Sequence, residues 1–205
     1  MKTSELVDFY RRAKAKVFAA GYEGEYEWQK SRNLMVITER DFLQEYSWVV
    51  LNCGFRERTI RRVFPFVSMA FFDFASAKEI IEHSSDCVRI ASLRFNNSKK
   101  LRAIVSGAIF VDELGLNELR SLMLSDAKRL SRLPFIGATT LCHLLKNLGM
   151  PAAKNDRHLA RLSHRLGFDD AASLCERVSA NTGESVPTID VVLWRFCALN
   201  LYADF

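Results

Sequence analysis

The sequence lacks the features that mark membrane and disordered proteins. No apolar run reaches the roughly eighteen residues that a membrane span needs, and the opening stretch "MKTSELVDFYRRAKAK" has no apolar signal-peptide core. No low-complexity linker and no internal repeat interrupts the 205 residues, of which 49% are hydrophobic and 26% charged, as in ordinary globular proteins. We therefore expect a single globular domain over residues 1–205 that resides in the cytoplasm.

Cysteine pairs with metal-ligand spacing are also missing. The five cysteines are odd in number and widely scattered, and none forms a C-x-x-C pair. This pattern predicts neither a disulfide framework nor a zinc or iron-sulfur site, so we expect reduced thiols and no metal or other cofactor. The cysteines are Cys53, Cys87, Cys142, Cys175 and Cys197.

Proline is scarce, with four in the chain, and helical periodicity is found nearly everywhere. The stretches "DFLQEYSWVVLNCGF" and "ERTIRRVFPFV" predict two helices joined by a turn at 52–55. One β-branched run, "LMVITE" at 34–39, suits a strand, but one strand cannot make a sheet, so the predicted class is all-α. Other predicted helices cover 3–19, 75–83, 86–95, 98–111, 116–129, 137–147, 156–166, 169–180 and 187–202.

Positive charge is concentrated in two segments, although the net charge is only +5. "GFRERTIRRVF" carries four arginines, and "KNDRHLARLSHR" carries one lysine, three arginines and two histidines. Such clusters indicate a polyanionic partner, or they lie on solvated helix faces that offset acidic residues elsewhere. Charge alone leaves both readings open.

The segment "LPFIGATT" predicts a tight turn before a helix, because Pro134 and Gly137 frame it. At the start of that helix we expect the amides of Gly137, Ala138 and Thr139 to have no intrahelical acceptor. With hydroxyls from Thr139 and Thr140, such a turn can hold a phosphate. The alternative is an ordinary connection between two helices.

A carboxylate follows at the start of the next predicted helix. "NLGMP" ends one helix, with Gly149 at its terminus and Pro151 two residues later. Asp156, or Asn155 beside it, is then expected at the N-terminus of the following helix. Taken by itself, Asp156 is compatible with a simple helix cap.

Together these two segments resemble the helix-hairpin-helix (HhH-GPD) superfamily of DNA glycosylases. In that family a hairpin L-P-G-[IV]-G-x-x-T-A precedes a catalytic aspartate in a D-x-H-[VL]-x-R sequence by about twenty residues. We assign the hairpin and the catalytic segment to residues 131–167. The hairpin motif matches at Leu133, Pro134, Ile136, Gly137 and Thr140. The second segment matches at Asp156, His158, Leu159 and Arg161, whereas Phe135 replaces the first hairpin glycine and Leu141 the alanine.

The resemblance implies a two-lobed, all-α HhH-GPD glycosylase-like fold with a cleft between the lobes. It implies a monomeric, nucleoid-associated bacterial enzyme that binds double-stranded DNA, flips a damaged or modified base and cleaves its bond to the sugar. Asp156 is then the catalytic residue, whose carboxylate stabilises the charge that develops on the sugar. The expected DNA contacts are Leu133, Pro134, Ile136, Gly137, Ala138, Thr139, Thr140, Arg56, Arg157 and Arg161.

The family's strand-cutting members keep a lysine where this sequence has Thr139, so the resemblance implies a monofunctional enzyme without lyase activity. Lys146 and Lys154 are the nearby lysines that leave this point open. The product is then an abasic site on an intact strand.

The pocket and the wedge are expected from aromatic-rich stretches. Asn52 and Phe55 flank the predicted turn, and either is a candidate for the wedge that fills the space of the flipped nucleotide. The set Tyr26, Trp28, Glu45 and Trp48 resembles the base-gripping residues of bacterial type I alkyladenine glycosylases, although that class has a zinc site that this chain lacks. The alternative is that these aromatic residues are core.

Three functions follow from these patterns. The first is a DNA repair glycosylase for damaged, especially alkylated, bases, and the second is a glycosylase for hypermodified bases of phage DNA, with a role in defence. The third is a non-catalytic hairpin module that holds DNA. The module requires the hairpin and the basic clusters, whereas both enzymes also require Asp156.

Overall fold

The structure, a computed structural model, describes residues 2–201, and these form helices joined by turns, without a strand. The all-α prediction is confirmed. The helices are α1 (Thr3–Ala19), α2 (Glu23–Ser31), α3 (Glu39–Asn52), α4 (Glu57–Ala70), α5 (Ala77–Glu82), α6 (Ser84–Ser92), α7 (Ser98–Leu114), α8 (Leu116–Asp126), α9 (Ala138–Asn147), α10 (Arg157–Arg165), α11 (Ala171–Thr182) and α12 (Val186–Ala198). No helix in the described part of the chain is long and apolar enough to cross a membrane.

Most predicted helices are found within a few residues of their expected bounds, but three local predictions differ. Helix α2 was not predicted, because only Tyr26 and Gln29 of its nine residues are buried and the apolar stripe is correspondingly thin. The β-branched run holds a short 3₁₀ turn, Leu34–Val36. The helix predicted over 116–129 ends at Asp126 and continues as the 3₁₀ segment Ala127–Arg132.

The chain divides into two compact units, Met1–Asn33 with Leu145–Phe205, called here the terminal unit, and Leu34–Leu144, called the central unit. In the terminal unit, α12 packs against α1, α2, α10 and α11. Its core joins Phe9 of α1 to Phe196 of α12, whose rings meet edge to face at 5.8 Å. Burial of such large apolar side chains, at about 1.5–3 kcal/mol each, stabilises this unit.

A glycine lets α2 pack closely in the terminal unit. Gly149 follows α9 with a positive φ of 87°, and a Cβ there would lie 2.7 Å from backbone atoms of Arg32 at the end of α2. The Arg32 Nε also donates to the carbonyl oxygen of Asn147 at 3.1 Å. The predicted helix stop at Gly149 is therefore also a point of close backbone approach.

In the central unit, α7 packs against α3 and α5, and a glycine again sets the approach. A Cβ at Gly107 of α7 would lie 2.4 Å from the ring of Tyr46, which is fully buried on α3. The ring of Tyr46 therefore fills the space that a side chain at position 107 would need. This packing fixes the tyrosine hydroxyl, which supports the turn before α9.

Candidate nucleic-acid interface and active site

The turn before α9, called here the hairpin and comprising residues 133–140, combines a buried anchor with an exposed rim. Leu133 and Ile136 point into the core of the central unit and are almost fully buried. Pro134, Phe135 and the first residues of α9 are exposed. The apolar pair in the motif therefore holds the turn in place while its backbone faces solvent.

Tyr46 ties the hairpin to the helices beneath it. Its hydroxyl lies 3.1 Å from the carbonyl oxygens of both Pro134 and Ala103, so its one proton is shared between an acceptor on the hairpin and one on α7. Burial raises the pKa of Tyr46, which keeps the hydroxyl protonated as a donor. Sequence reasoning missed this residue, although Gly107 within an apolar helix was a signal of close packing.

Within the hairpin, the hydroxyl of the half-buried Thr140 closes the turn. Its hydroxyl accepts a hydrogen bond from the Gly137 amide at 2.7 Å and donates to the Phe135 carbonyl oxygen at 2.8 Å. The expectation that the Gly137 amide is free is therefore wrong, and the Thr140 hydroxyl is already engaged inside the turn. The donors that remain for an anion are the first-turn amides of Ala138 and Thr139, with the Thr139 hydroxyl.

The two motif positions, Phe135 and Gly137, differ in backbone conformation. Phe135, which stands where the family has its first glycine, has a φ of 65°, in the left-handed region that glycine adopts without strain. Gly137 does not have a positive φ, and a Cβ there would meet nothing within 4 Å. The fold therefore does not require glycine at 137, and the missing side chain leaves room for a ligand to approach the backbone.

A shallow groove of about 480 Å³ runs along the hairpin. The hairpin forms most of its lining, including Phe135 and the start of α9, and Cys53 from the α3–α4 turn contributes to it. The structure thus brings the predicted hairpin and the predicted wedge turn together within the central unit.

At the wedge turn, the two candidates differ in freedom. The Asn52 side-chain amide donates to the Trp48 carbonyl oxygen at 2.8 Å, so it caps its own helix. Phe55 follows Gly54, which has a φ of 77°, and keeps 42% of its surface exposed. The next residue, Arg56, is exposed at the N-terminus of α4.

The residues expected to grip a base are divided between the two units. Glu45 is buried on α3, and Trp48 is half-buried with its ring 5.1 Å from Phe64. Tyr26 is buried in the core of the terminal unit, where the Lys14 amine lies 3.9 Å from its ring centre. Trp28 is 38% exposed on α2 of the same unit.

In the terminal unit, Asp156 is the N-cap of α10, as the sequence predicts, and both of its carboxylate oxygens are bound. Oδ1 accepts from the amides of His158 at 2.9 Å and Leu159 at 3.2 Å. Oδ2 accepts from the indole Nε1 of Trp194 at 2.8 Å and lies 3.7 Å from the Lys154 ammonium. An ordinary helix cap needs only the bonds from backbone amides to Oδ1. The indole of Trp194 and the Lys154 ammonium therefore add a second constraint, which acts on Oδ2.

A second carboxylate, that of Asp190, binds the backbone of Lys154, the residue whose ammonium lies near Asp156. Asp190 of α12, only 1% exposed, accepts from the Lys154 amide at 2.7 Å and pairs with the Lys146 ammonium at 3.2 Å. Burial raises the pKa of Asp190 and lowers the pKa of Lys154. Sequence reasoning found neither Trp194 nor Asp190, because both lie far along the chain in a helix that looks like ordinary core.

The basic residues proposed for DNA contact on α10 are exposed. Arg157 and Arg161 lie one turn apart on this helix, and both side chains face solvent. They therefore place positive charge on the helix that Asp156 caps. Among the described residues, no group of three or more metal-ligating side chains is found.

The comparisons with known proteins agree with this fold. The sequence matches no protein-family model and no curated protein at a significant level. The structure is similar to the crystal structure of the 8-oxoguanine DNA glycosylase of Thermotoga maritima, with a TM-score of 0.63 and 23% sequence identity. The similarity covers 94% of this chain and 96% of that chain, so the chain has the fold of that DNA glycosylase along nearly its whole length.

Proposed function

We propose that the protein is a monofunctional DNA N-glycosylase. The observation that carries the proposal is the Asp156 carboxylate, which two backbone amides and the Trp194 indole hold in a chain with a DNA glycosylase fold. A carboxylate held in this way costs no reorganisation when positive charge develops nearby. The enzyme flips a damaged or modified base out of double-stranded DNA and hydrolyses its bond to the sugar.

In the proposed reaction, the bond between the base and C1′ of the sugar breaks, and its electron pair leaves with the base. Positive charge grows on the sugar, and the Asp156 carboxylate stabilises it. The same carboxylate orients a water molecule and accepts its proton while the water oxygen bonds to C1′. The departing base takes up a proton from solvent, Asp156 releases to solvent the proton it accepted, and the product is an abasic site on an unbroken strand.

The hairpin is proposed to hold the DNA backbone. The Ala138 and Thr139 amides at the positive end of α9 suit a phosphate, and the open space at Gly137 lets the phosphate approach. Arg56, Arg157 and Arg161 add positive charge that attracts the duplex. Of the two wedge candidates, the exposed Phe55 suits the role better than Asn52, whose amide is engaged.

We propose that the protein lacks lyase activity because position 139 carries no amine and because the amines near Asp156 are paired with carboxylates. A threonine hydroxyl at position 139 cannot form an imine with an opened sugar. The Lys146 amine is buried against Asp190, and the Lys154 amine is paired with Asp156. The absence of a lysine at position 139 and the pairing of Lys146 support hydrolysis by water, and Lys154, whose pKa is lowered by burial, is the amine that a trapping experiment must test.

The base is proposed to be either alkylated or oxidised. Trp28, which is 38% exposed on α2 in the same unit as Asp156, favours an alkylated, electron-poor ring, whereas the similar structure belongs to a glycosylase for 8-oxoguanine. A hypermodified phage base is the variant that serves defence. All three remain within the same reaction type.

The test is a panel of duplexes, each with one alkylated, deaminated, oxidised or glucosylated base, incubated with the purified protein. We expect mass spectrometry to find one class of free base in solution, and the strand to break at that site only after alkali. Tight binding of every duplex without release of any base would instead identify a non-catalytic hairpin module.

A further inference from the structure

Phe135 is a strained and exposed aromatic residue at the tip of the hairpin. A bulky residue with a φ of 65° costs free energy that a glycine would not, and it persists only because its surroundings hold it there. Here the Thr140 hydroxyl holds the Phe135 carbonyl, and the Ile136 amide donates to the Leu133 carbonyl at 3.2 Å. The strain does not serve burial, because Phe135 keeps 37% of its surface exposed.

A buried cation lies over the ring. The Lys100 amine is 4.7 Å from the centre of the Phe135 ring and 5.5 Å from that of Phe55. It is fixed by the carbonyl oxygens of Val50 and Cys53 at the end of α3, the latter at 2.7 Å. Two exposed aromatic residues, one from the hairpin and one from the wedge turn, are thus arranged around one ammonium group in the central unit.

This arrangement matches what single-stranded or splayed nucleotides need from a protein. Aromatic rings stack on bases of any sequence, and positive charge nearby favours the phosphates that accompany them. The donors proposed for a phosphate, the Ala138 and Thr139 amides, follow Phe135 in the same turn. A strand held at these amides brings a base within reach of the Phe135 ring.

We propose that Phe135 is a stacking platform for a nucleobase of the bound DNA, next to the phosphate that the hairpin holds, and that Lys100 fixes its ring. This inference deepens the proposed function and depends on it. Phe135 thereby becomes a DNA contact in addition to Phe55, whose ring centre lies 5.5 Å from the same Lys100 amine.

The test measures affinity for a duplex that contains a tetrahydrofuran analogue of the abasic site, by fluorescence anisotropy. Phe135→Gly supplies the residue that suits the positive φ and removes the ring, so we expect affinity to fall about tenfold. Because the lost contact is to a base and not to a phosphate, the slope of affinity against salt concentration is expected to stay unchanged.

Phe72→Gly is the matched control. Phe72 also has a positive φ, 54°, and is also 37% exposed, but it is outside the residues that line the hairpin groove. This variant relieves the same kind of strain and removes the same kind of ring, and we expect affinity within twofold of the parent protein. Thermal unfolding of both glycine variants checks that each is folded.

Two further substitutions separate stacking from shape. Phe135→Tyr keeps the ring and should retain the parent's affinity, whereas Phe135→Leu keeps an apolar side chain without a ring and should lose affinity about as much as Phe135→Gly. If Phe135→Gly binds as the parent does, the platform is refuted. That result also leaves the exposed ring for a protein partner or a second copy of the chain.

The proposed function fails in a different way. If the parent protein neither binds the duplex nor releases a base from any member of the panel, the glycosylase proposal falls and the platform falls with it. If the parent protein does both and Phe135→Gly changes nothing, only the platform is rejected.

Discussion

The hairpin of the central unit and the Asp156 site of the terminal unit are built in opposite ways. At the hairpin, the anchor is buried and the amides of Ala138 and Thr139 face outward at the start of α9. At the other site, every oxygen of the Asp156 carboxylate already has a partner within the protein. The hairpin presents amide donors to solvent, whereas the Asp156 carboxylate is already oriented by three hydrogen bonds and keeps acceptor capacity for one further donor, such as a water molecule.

This difference corresponds to the two tasks, binding and chemistry, of the proposed glycosylase. Binding to DNA of any sequence uses open donors that phosphates satisfy. Chemistry uses a charge that is oriented in advance, so that little rearrangement is needed in the transition state. We therefore expect substitutions at the hairpin to change affinity, and substitutions around Asp156 to change the rate of base release.

The largest effect is expected from Asp156→Asn. Asparagine is as good an N-cap as aspartate, so the bonds to the His158 and Leu159 amides are retained while the charge is lost. We expect the single-turnover rate of base release to fall by about 10²–10⁴-fold, with DNA affinity within a few-fold of the parent's.

Asp170→Asn is the control for this substitution. Asp170 is the N-cap of α11, where it accepts from the Ser173 amide at 2.8 Å, and it has no part in the proposed site. The same change of aspartate to asparagine at a helix start should leave base release unaltered there. Loss of activity in both variants would indicate an effect on folding instead of chemistry.

The next effect concerns the hairpin. Gly137→Asp places a negative charge where the phosphate is proposed to approach, in space that is open in the free protein. We expect affinity to fall about tenfold or more for every duplex regardless of sequence, and the dependence of affinity on salt to change. Binding titrations at several salt concentrations measure both quantities.

Gly24→Asp provides the same charge change elsewhere. Gly24 lies in α2 without a positive φ, and a Cβ at this position would also meet nothing within 4 Å. If Gly24→Asp weakens binding as much as Gly137→Asp does, the effect is one of net charge, and the hairpin has no special role.

A smaller effect is expected from Trp194→Phe, which removes the indole N–H that donates to Asp156 Oδ2. An aromatic ring still packs against the core, but the carboxylate loses one of its fixed donors. A hydrogen bond to a charged group contributes about 1.5–3 kcal/mol, and because the carboxylate keeps its two backbone donors we expect the lower end of this range, a fall of about tenfold in the rate of base release. The half-saturating concentration should not change, because the Trp194 N–H contacts Asp156 and is not proposed to bind DNA.

We expect no imine to form between the protein and the opened sugar. Borohydride added during turnover should trap no covalent adduct between protein and DNA, because Thr139 cannot form an imine and both nearby lysines are paired with carboxylates. Thr139→Lys is the positive control, and weak trapping is expected from it if the hairpin faces the sugar. Efficient trapping by the parent protein would assign an amine such as Lys154 to the attack and end the monofunctional proposal.

In both regions, the local turn and cap patterns could be predicted from the sequence. The hairpin and the Asp156 cap are local patterns of glycine, proline and capping residues, and these were predicted at the right positions because turn and cap chemistry depends on near neighbours. Most helix bounds followed from apolar periodicity, but α2, where few residues are buried, and the end of α8 at Asp126 did not.

The partners of these local patterns could not be predicted. Trp194 reaches Asp156 from α12, and Tyr46 reaches Pro134 from α3, so each contact joins residues far apart in the sequence. Phe135 illustrates the same limit. The sequence shows that a phenylalanine replaces a motif glycine, but it does not show that this residue adopts a positive φ at the cost of backbone strain.

The most direct test of the central claim is single-turnover base release measured against protein concentration, for the parent protein, Asp156→Asn and Gly137→Asp. We predict that Asp156→Asn lowers the maximal rate and keeps the half-saturating concentration, and that Gly137→Asp raises the half-saturating concentration and keeps the maximal rate. A maximal rate in Asp156→Asn equal to that of the parent protein would contradict the account.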